Sequence, residues 1–418
     1  MSRRVLALAA AVLASAGSAL AQSNRVDTVT PSAPELAAYG KYAVGVRTLQ
    51  ATDQNRPDIL ATKEGGPTAR YDRTLTLEVW YPARLAAGQK PGGDYRTILR
   101  DPALTATLHG QAVRDAAPLT SEGPFPLVII SHGYPGNRYL MSHLAENLAS
   151  KGFVTVSIDH KESTYDDQQP FASTLYNRAF DQLFVLNEMD RLGKAGSGSF
   201  LSGRLDAGRT GIVGYSMGGY GVVNVVGGGY SKASETIAGA PPNKLLAERG
   251  AASADYRKTI DPRIKAAIAI APWGMQGGFW DADGLKGIVT PVLFVAGSVD
   301  EVAGYEKGTK AIYQAATNAD RYLLTFVNAN HNAAAPIPAP AETYVAAEAG
   351  KPAAFSHYAD AVWDTVRMNN ILDHFATAYF GLHLKNDQEK TTYFEGWKGF
   401  KRGTTAGLTL DHAAAGKN

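Results

Sequence analysis

The sequence of 418 residues contains no cysteine. This absence excludes disulfide bonds, thiol nucleophiles and metal sites built on thiolates. It also excludes a bacterial lipoprotein, which needs a cysteine at its cleavage site. The fold must therefore be held by its hydrophobic core alone, and a chain of this length is large enough to bury one.

The sequence also lacks an excess of either charge. It has 41 lysines and arginines against 39 aspartates and glutamates, for a formal net charge of +2. No basic run stands out, so nothing indicates a nucleic-acid partner or an anionic membrane surface. With 45% hydrophobic and 19% charged residues, the composition is typical of a soluble globular protein.

The apolar stretch at the N-terminus is too short to cross a bilayer. Val5–Ala14 falls below the roughly 20 residues that a membrane-spanning helix needs. Arg3 and Arg4 precede it, and the small-residue pattern Ala19-Leu20-Ala21 follows, as in a secretory signal. We predict a signal peptide at residues 1–21 and a mature chain without a transmembrane segment, located in the periplasm or secreted. Whether export uses the Sec or the Tat route stays open.

The chain is organised around Gly214-Tyr215-Ser216-Met217-Gly218, which has the form G-x-S-x-G. An apolar run of β type precedes this motif, and residues 217–226 have the composition of a following helix. A serine raised on a sharp strand-to-helix turn needs glycine two positions before and two after, because the backbone passes close on both sides. We interpret Ser216 as a nucleophile on such a turn.

Buried-strand patterns alternate with helical patterns over most of the chain. The apolar runs are Phe125–Ser131, Phe153–Ile158, Ile264–Ala271, Val292–Ala296 and Tyr322–Val327. This alternation predicts an α/β fold with a mostly parallel central sheet and helices on both faces. Two earlier runs, at residues 42–49 and 74–81, fit an antiparallel edge, and residues 84–119 read as irregular with one short helix.

We predict a single domain over residues 22–418. Two segments, at about 227–263 and 333–358, are too long for simple connections between strands and helices. Both leave from sheet ends where an active site would lie. We therefore interpret them as insertions that shape or partly cover that site.

A serine nucleophile needs a base, and a carboxylate to orient that base. In this strand-turn-helix setting the chain order is serine, acid, histidine. Asp300 directly follows the run Val292–Ala296, so a parallel sheet brings it to the same edge as Ser216. The alternatives for the acid are Glu301, Asp281 and Asp283.

The base is predicted to be His331, which follows the run Tyr322–Val327 at the same sheet edge. His357 is the alternative, whereas His374 and His383 lie in a C-terminal helical pattern and are interpreted as packing or surface residues. The oxyanion needs backbone donors. Met217, at the start of a helix, supplies one N–H, and Tyr134, in the loop His132-Gly133-Tyr134, supplies the other. His132 is interpreted as a residue that orders this loop.

The loop Asp159–Asp167 is dense in potential metal ligands. We interpret it as a solvated loop whose charges pair with one another. A Ca²⁺ site would need several oxygens that converge on one point, which a sequence does not reveal, so that alternative stays open. A supporting role for His160 near the active site also stays open.

Five short motifs occur in order along the chain: Ser131-His132-Gly133-Tyr134, Leu148–Phe153, Gly214–Gly219, Ala271-Pro272-Trp273 and Gly297–Asp300. Together they resemble the motifs of secreted α/β-hydrolases. The group includes dienelactone-hydrolase-like proteins, platelet-activating-factor acetylhydrolases and cutinase-type polyester hydrolases.

This resemblance covers roughly residues 126–332 and implies the α/β-hydrolase fold. It implies Ser216, Asp300 and His331 as the catalytic set, with Tyr134 and Met217 as oxyanion donors. It also implies that the aromatic rings of Tyr134 and Trp273 clamp the acyl part of the substrate. The missing cysteines are a departure, since true dienelactone hydrolases use a cysteine nucleophile and many polyester hydrolases carry disulfides.

The sequence thus predicts an exported serine hydrolase that cleaves small-molecule or polymeric carboxylic esters through an acyl-enzyme, with no cofactor and no metal. Hydrolysis of an amide or of an activated C–C bond is an alternative on the same residues. An alternative of another class is a non-catalytic binding protein on a hydrolase fold.

Overall fold

The structure, a computed structural model, describes residues 23–347, 350 and 352–416. The predicted signal peptide at residues 1–21 lies outside the described residues. Within the described part, no helix combines the length and the apolar character needed to span a bilayer.

Apart from residues 84–119 and the C-terminal strand, the strands and helices follow one another in the order that the hydrophobic patterns indicate. The strands are β1 (Ala43–Pro57), β2 (Arg70–Arg84), β3 (Gly93–Ile98), β4 (Thr105–Gly110), β5 (Val113–Arg114), β6 (Ala117–Pro118), β7 (Phe125–Ser131), β8 (Val154–Asp159), β9 (Leu205–Tyr215), β10 (Ile264–Ile270), β11 (Val292–Gly297), β12 (Arg321–Phe326) and β13 (Leu408–Ala413). The α-helices are α1 (Ser142–Ser150), α2 (Phe171–Gly193), α3 (Met217–Val225), α4 (Ala254–Lys258), α5 (Ala282–Leu285), α6 (Lys310–Ala315) and α7 (Thr365–Lys385).

The central sheet has the strand order β13-β12-β11-β10-β9-β7-β8-β2-β1-β5, with β6 beside β2. The strands from β8 to β12 all pair in parallel. On each flank of this parallel part the next strand is antiparallel, β2 beside β8 and β13 beside β12. This arrangement agrees with the predicted mostly parallel sheet with an antiparallel edge, and it brings the C-terminal ends of β7, β9, β11 and β12 to one edge.

Helices cover both faces of the sheet. Along β7, Val128 and Ile130 belong to the core that includes α1 and α7, whereas Leu127 and Ile129 belong to the core that includes α2 and α3. Side chains alternate between the two faces of a strand, so a continuous apolar run such as β7 fits a strand that is buried on both sides.

Residues 84–119 contradict the prediction of an irregular stretch with a short helix. β3 and β4 pair as a separate two-stranded antiparallel sheet. Its buried side includes Tyr95, whose hydroxyl accepts a hydrogen bond of 2.9 Å from the indole N–H of Trp80 on β2. The alternation of buried and exposed residues in β3 is only six residues long. This pattern is too short to predict a strand, which becomes evident only from the pairing with β4.

Two further features were not predicted. The terminal strand β13 is a short amphipathic segment whose pairing with β12 extends the sheet. Asn137 precedes α1 but does not cap it, because the N-terminal cap is Met141. The Asn137 amide instead donates to the hydroxyl of Thr97 at 2.7 Å and to the carbonyl of Ile98 at 2.9 Å, which ties β3 to the main domain.

The two predicted insertions occupy different places. Residues 227–263 pack behind α3, where the ring of Tyr230 stacks on Tyr220 with centroids 5.2 Å apart. In the same region the Tyr256 hydroxyl donates to the carbonyl of Asn224. The described part of 333–358 instead lies beside the C-terminal ends of the strands, with short helical turns at Ala341–Thr343 and Ala354–His357.

Candidate active site

Ser216 occupies a sharp turn between β9 and α3. Its backbone has φ of 53° and ψ of −112°, an unfavourable conformation for a residue with a side chain. A Cβ on Gly214 would lie 2.2 Å from the carbonyl oxygen of Gly218, and a Cβ on Gly218 would lie 2.0 Å from that of Ser131. The glycines at both ends of the motif are therefore required by close backbone approach, as the sequence predicts.

The backbone of Ser216 is held on three sides. Its N–H donates to the carbonyl of Ile270 at 2.9 Å, and its carbonyl accepts from the N–H of Tyr220 at 2.9 Å and of Trp273 at 3.2 Å. Only 7% of the residue is exposed. The hydroxyl therefore has a defined position at the edge of the sheet.

Ser216, His331 and Asp300 form one hydrogen-bonded chain. Nε2 of His331 lies 2.9 Å from Oγ of Ser216. On the other side of the ring, Nδ1 lies 2.9 Å and 3.1 Å from the two carboxylate oxygens of Asp300. The ring therefore donates from Nδ1 to the carboxylate, and Nε2 is free to accept the serine proton.

The carboxylate of Asp300 is buried and oriented by backbone donors. Its Oδ1 accepts from the N–H groups of Val302 at 2.8 Å and Ala303 at 2.9 Å. Burial acts to raise the pKa of Asp300, but the hydrogen bond and charge of His331 and these two amides outweigh it and hold the pKa below the ordinary value. The carboxylate therefore stays ionised beside the imidazole.

Asn330 joins the loops that carry the acid and the histidine. Its side-chain oxygen accepts from the N–H of His331 at 2.7 Å and of Glu301 at 3.0 Å. Its own N–H donates to Asp360 at 2.7 Å. The roles of Asn330 and Asp360 as supports of the site were not predicted from the sequence. The run of asparagines around His331 was the available signal, because such side chains commonly hold loop backbones.

The alternative acids lie elsewhere. Glu301 has an exposed side chain that accepts from the Asn330 amide at 3.3 Å. Asp281 caps α5 by accepting from Gly284 N–H at 2.8 Å, and Asp283 pairs with Lys286 at 2.8 Å. Of the four candidates, Asp300 is the one in contact with His331.

His357, the alternative base, lines the same cavity as Ser216 but is bonded to another group. Its Nε2 lies 2.9 Å from the hydroxyl of Tyr165. Desolvation in the cavity wall, with the nearby positive charges of Arg100 and His331, lowers the pKa of His357. A neutral ring whose Nε2 is hydrogen-bonded to Tyr165 is better interpreted as part of the cavity wall than as the base.

The loop predicted to supply an oxyanion donor runs directly against Ser216. A Cβ on Gly133 would lie 3.3 Å from Cβ of Ser216 and 3.2 Å from the ring of Tyr215, so this residue has little room for a side chain. Met217 is the first residue of α3, and the N–H groups of a first helical turn have no carbonyl partner within their own helix. The roles of the Met217 and Tyr134 amides remain predictions.

The two aromatic residues assigned to substrate binding lie on either side of Phe171. The ring of Tyr134 is 5.0 Å from that of Phe171, which is 5.3 Å from that of Trp273. Tyr134 lines the cavity above Ser216, and its hydroxyl donates to the carbonyl of Gln169 at 3.0 Å. Trp273 is half-buried, packs against Phe279, and is not among the described residues that line the cavity.

Ser216 and His331 open into a cavity of about 820 Å³. One wall comes from the second predicted insertion and the residues after it. It consists of residues 345–347, 352–354, 356, 357 and 359–361. The first predicted insertion, residues 227–263, contributes no lining residue to this cavity.

The interpretation of residues 159–167 as a solvated loop is wrong. His160, Glu162, Ser163, Thr164 and Tyr165 are all buried. Their charges are satisfied from elsewhere in the fold, since Glu162 pairs with Arg73 at 3.1 Å and Asp159 pairs with Arg138. Across residues 23–347, 350 and 352–416, no group of three or more His, Asp or Glu side chains could hold a metal ion.

Comparison with known families supports the predicted resemblance. A family described as PET hydrolase-like matches residues 112–243, and platelet-activating factor acetylhydrolase, isoform II, matches residues 36–176. Each match covers less than half of the chain. Both families belong to the group that the motifs of the sequence indicate, so this resemblance is confirmed.

Individual relatives and a solved structure agree with this grouping. The chain is 26% identical over 205 residues to cutinase est1 of Thermobifida alba, and 27% identical over 213 residues to bis(hydroxyethyl) terephthalate hydrolase of Streptomyces coelicolor. These matches cover 49% and 51% of this chain, and the chain spans about half of each relative, 52% in both cases.

A ferulic acid esterase from Streptomyces cinnamoneus has a similar structure. The TM-score is 0.59 at 21% identity, over 93% of this chain and 99% of that one. With the parallel sheet and its covering helices, this likeness confirms the predicted α/β-hydrolase fold.

We predict that a fluorophosphonate probe labels Ser216, because its hydroxyl is the one bonded to the imidazole of His331 at the cavity. His331→Ala should abolish labelling, while His357→Ala should retain it. Peptide mapping of the labelled protein by mass spectrometry identifies the modified residue. Labelling that persists in His331→Ala but disappears in His357→Ala would move the base to His357.

Proposed function

We propose that this protein hydrolyses carboxylic esters through an acyl-enzyme formed on Ser216. The observation that carries the proposal is the hydrogen-bonded chain from Ser216 through His331 to Asp300 at the cavity. A hydroxyl is a weak nucleophile unless a positioned base takes its proton, and this chain provides the base and the group that orients it.

The geometry of these groups supports the following reaction. As Oγ of Ser216 attacks the ester carbonyl, Nε2 of His331 takes its proton, and Asp300 stabilises the resulting imidazolium. The N–H groups of Met217 and Tyr134 donate to the oxyanion. His331 then returns the proton to the leaving alcohol, and a water molecule activated by the same ring releases the acid. No step requires a cofactor or a metal.

The relatives support esters as the substrate class. They are named as a cutinase, a bis(hydroxyethyl) terephthalate hydrolase and a ferulic acid esterase. A cavity of about 820 Å³ suits a small ester or the end of a polymer chain. Amide and activated C–C substrates use the same three residues, so a panel of esters, peptides and β-diketones separates these alternatives.

The central test compares wild-type protein with Ser216→Ala on p-nitrophenyl esters of graded acyl length. The variant removes one oxygen, so it should keep the wild-type melting temperature while kcat falls by about 10⁴-fold. Equal turnover by the two proteins would exclude the acyl-enzyme. A wild-type protein that folds but turns over no member of the panel would favour a binding protein on a hydrolase fold.

Trp273→Ala decides whether this ring is a wall of the acyl site or ordinary core. A wall residue should raise KM or shift the acyl preference away from flat and branched chains, with a small change in stability. A core tryptophan should lower the free energy of unfolding by ~3–5 kcal/mol and leave acyl selectivity unchanged. Thermal melts beside the graded-ester profile distinguish the two, and the second result would exclude the clamp formed with Tyr134.

We also propose that the chain is exported and that residues 1–21 are removed. The charged start, the short apolar stretch and the small-residue site support this step. The mature protein from the periplasm or medium should begin at Gln22, and its mass should match that of residues 22–418. Replacement of Arg3 and Arg4 by lysine should stop export on the Tat route and leave Sec export intact. An uncleaved chain in the cytoplasm would contradict the proposal.

A further inference from the structure

One face of α2 is directed at the backbone around Ser216. Arg178 and Gln182, one helical turn apart, both point toward it. Nη1 of Arg178 donates to the carbonyl of His132 at 2.6 Å, and the Gln182 amide donates to the carbonyl of Gly218 at 3.0 Å. The first contact holds the oxyanion loop and the second holds the start of α3, so one helix braces both sides of the proposed oxyanion hole.

Two successive carbonyls of the oxyanion loop receive side-chain donors. Arg178 holds the carbonyl of His132, and Nδ1 of His132 lies 2.6 Å from the carbonyl of Gly133. The Gly133 carbonyl belongs to the same planar peptide group as the N–H of Tyr134. Because this group is rigid, fixing its carbonyl also fixes the direction of the Tyr134 N–H.

The ring of His132 is held in the tautomer that this contact needs. Its Nε2 accepts from the backbone N–H of His160 at 3.2 Å, so the proton lies on Nδ1. Burial, with the charges of Arg178 and His160, holds the pKa of His132 well below the usual range, and the ring is neutral. The ring of His160 is in turn held between Oγ of Ser131 at 2.8 Å and Asp181 at 3.0 Å.

Arg178 carries a buried charge that no carboxylate neutralises directly. It is 1% exposed, and among the described residues its guanidinium donates to the His132 carbonyl and to the hydroxyl of Ser163. Within the described part of the chain, no carboxylate lies at ion-pair distance from it. The nearby Asp181 is bound by Arg73 at 2.9 Å and 3.0 Å.

The charge of Arg178 persists at neutral pH and reaches the oxyanion loop. Burial lowers its pKa to about 9, which leaves the guanidinium protonated. Burial also raises the pKa of Tyr134, and the positive charges of Arg100 and Arg178 oppose that rise. A buried charge without a contacting counter-ion is costly, and groups perturbed in this way are concentrated at functional sites. Positive charge behind an oxyanion hole stabilises the negative charge of the intermediate.

We propose that Arg178 is a positioning residue of the oxyanion hole. It holds the loop that directs the Tyr134 N–H at the oxyanion, and it adds a fixed positive charge behind that loop. The inference rests on the proposed ester hydrolysis at Ser216. Arg178 should stabilise the transition state more than the ground state, because the oxyanion forms only as Ser216 attacks.

The test measures turnover of p-nitrophenyl acetate and inhibition by phenylboronic acid, whose boron forms a tetrahedral adduct with Oγ of Ser216. Arg178→Gln should lower kcat by roughly tenfold to hundredfold, below the loss from removing an oxyanion donor itself. KM should stay within about threefold, and the inhibition constant should rise together with the loss of kcat. Arg178→Lys keeps the charge but not the planar fork, so it should recover part of the loss.

Arg249→Gln is the matched control. Arg249 is a buried arginine that donates to Asn224 and Thr259, away from the oxyanion loop. Its loss should lower the melting temperature with kcat and boronic acid affinity within about threefold of wild type.

The outcomes separate this inference from the proposed function. If Arg178→Gln behaves like the control, Arg178 is structural only and the inference fails. If Arg178→Gln does not fold, Arg178→Lys decides, because unchanged kcat and boronic acid affinity in that variant would also overturn it. A wild-type protein that neither turns over the ester nor binds phenylboronic acid would overturn the proposed function, and the inference with it.

Discussion

The close contact between the turn at Ser216 and the end of β7 is the constraint on which the site depends. Gly218 lies so near the carbonyl of Ser131 that a Cβ would reach within 2.0 Å of it. The nucleophile and the oxyanion loop therefore belong to one backbone junction. The strained conformation of Ser216 persists because its N–H is bonded to Ile270 at the end of β10 and its carbonyl to the N–H groups of Tyr220 and Trp273.

The parallel sheet explains why much of this arrangement could be predicted from the sequence. Ser216, Asp300 and His331 each follow a buried strand, and parallel neighbours end at the same edge. Local patterns therefore sufficed to predict that the three side chains meet. The packing of α7 on the sheet depends on a long-range contact, since Gly211 on β9 leaves room for the ring of Phe380 on α7.

Apart from Asn330, the supports of the site could not be predicted, because they join residues that are far apart in the chain. Arg178 reaches His132 across 46 positions, and Arg73 reaches Asp181 across 108. A sequence pattern reports the period of a segment but not the partner of a charged side chain. For this reason the loop 159–167 was predicted to be solvated. In the structure, Arg73 and Arg138 from other elements pair with its carboxylates and so allow it to be buried. The β3–β4 hairpin was missed for a related reason, since each strand is defined by its partner.

Two buried arginines near the same aspartate differ in whether a carboxylate contacts them, and this difference distinguishes a structural role from a functional one. For Arg73, burial favours the neutral form, but Asp181 and Glu162 outweigh it and raise the pKa. For Arg178, burial dominates and the pKa falls. Arg73 is thus a partner in a neutralised network that holds β2 to α2. The guanidinium of Arg178 donates its hydrogen bonds to a carbonyl and a hydroxyl, so no contacting carboxylate neutralises its charge. Asp181 offsets part of this charge through space, but a charge without a contacting counter-ion in a low-dielectric interior acts over longer distances than a paired one. Its nearest developing negative charge would be the oxyanion formed at Ser216, so the helix that supports the loop also shapes the field in which the reaction occurs.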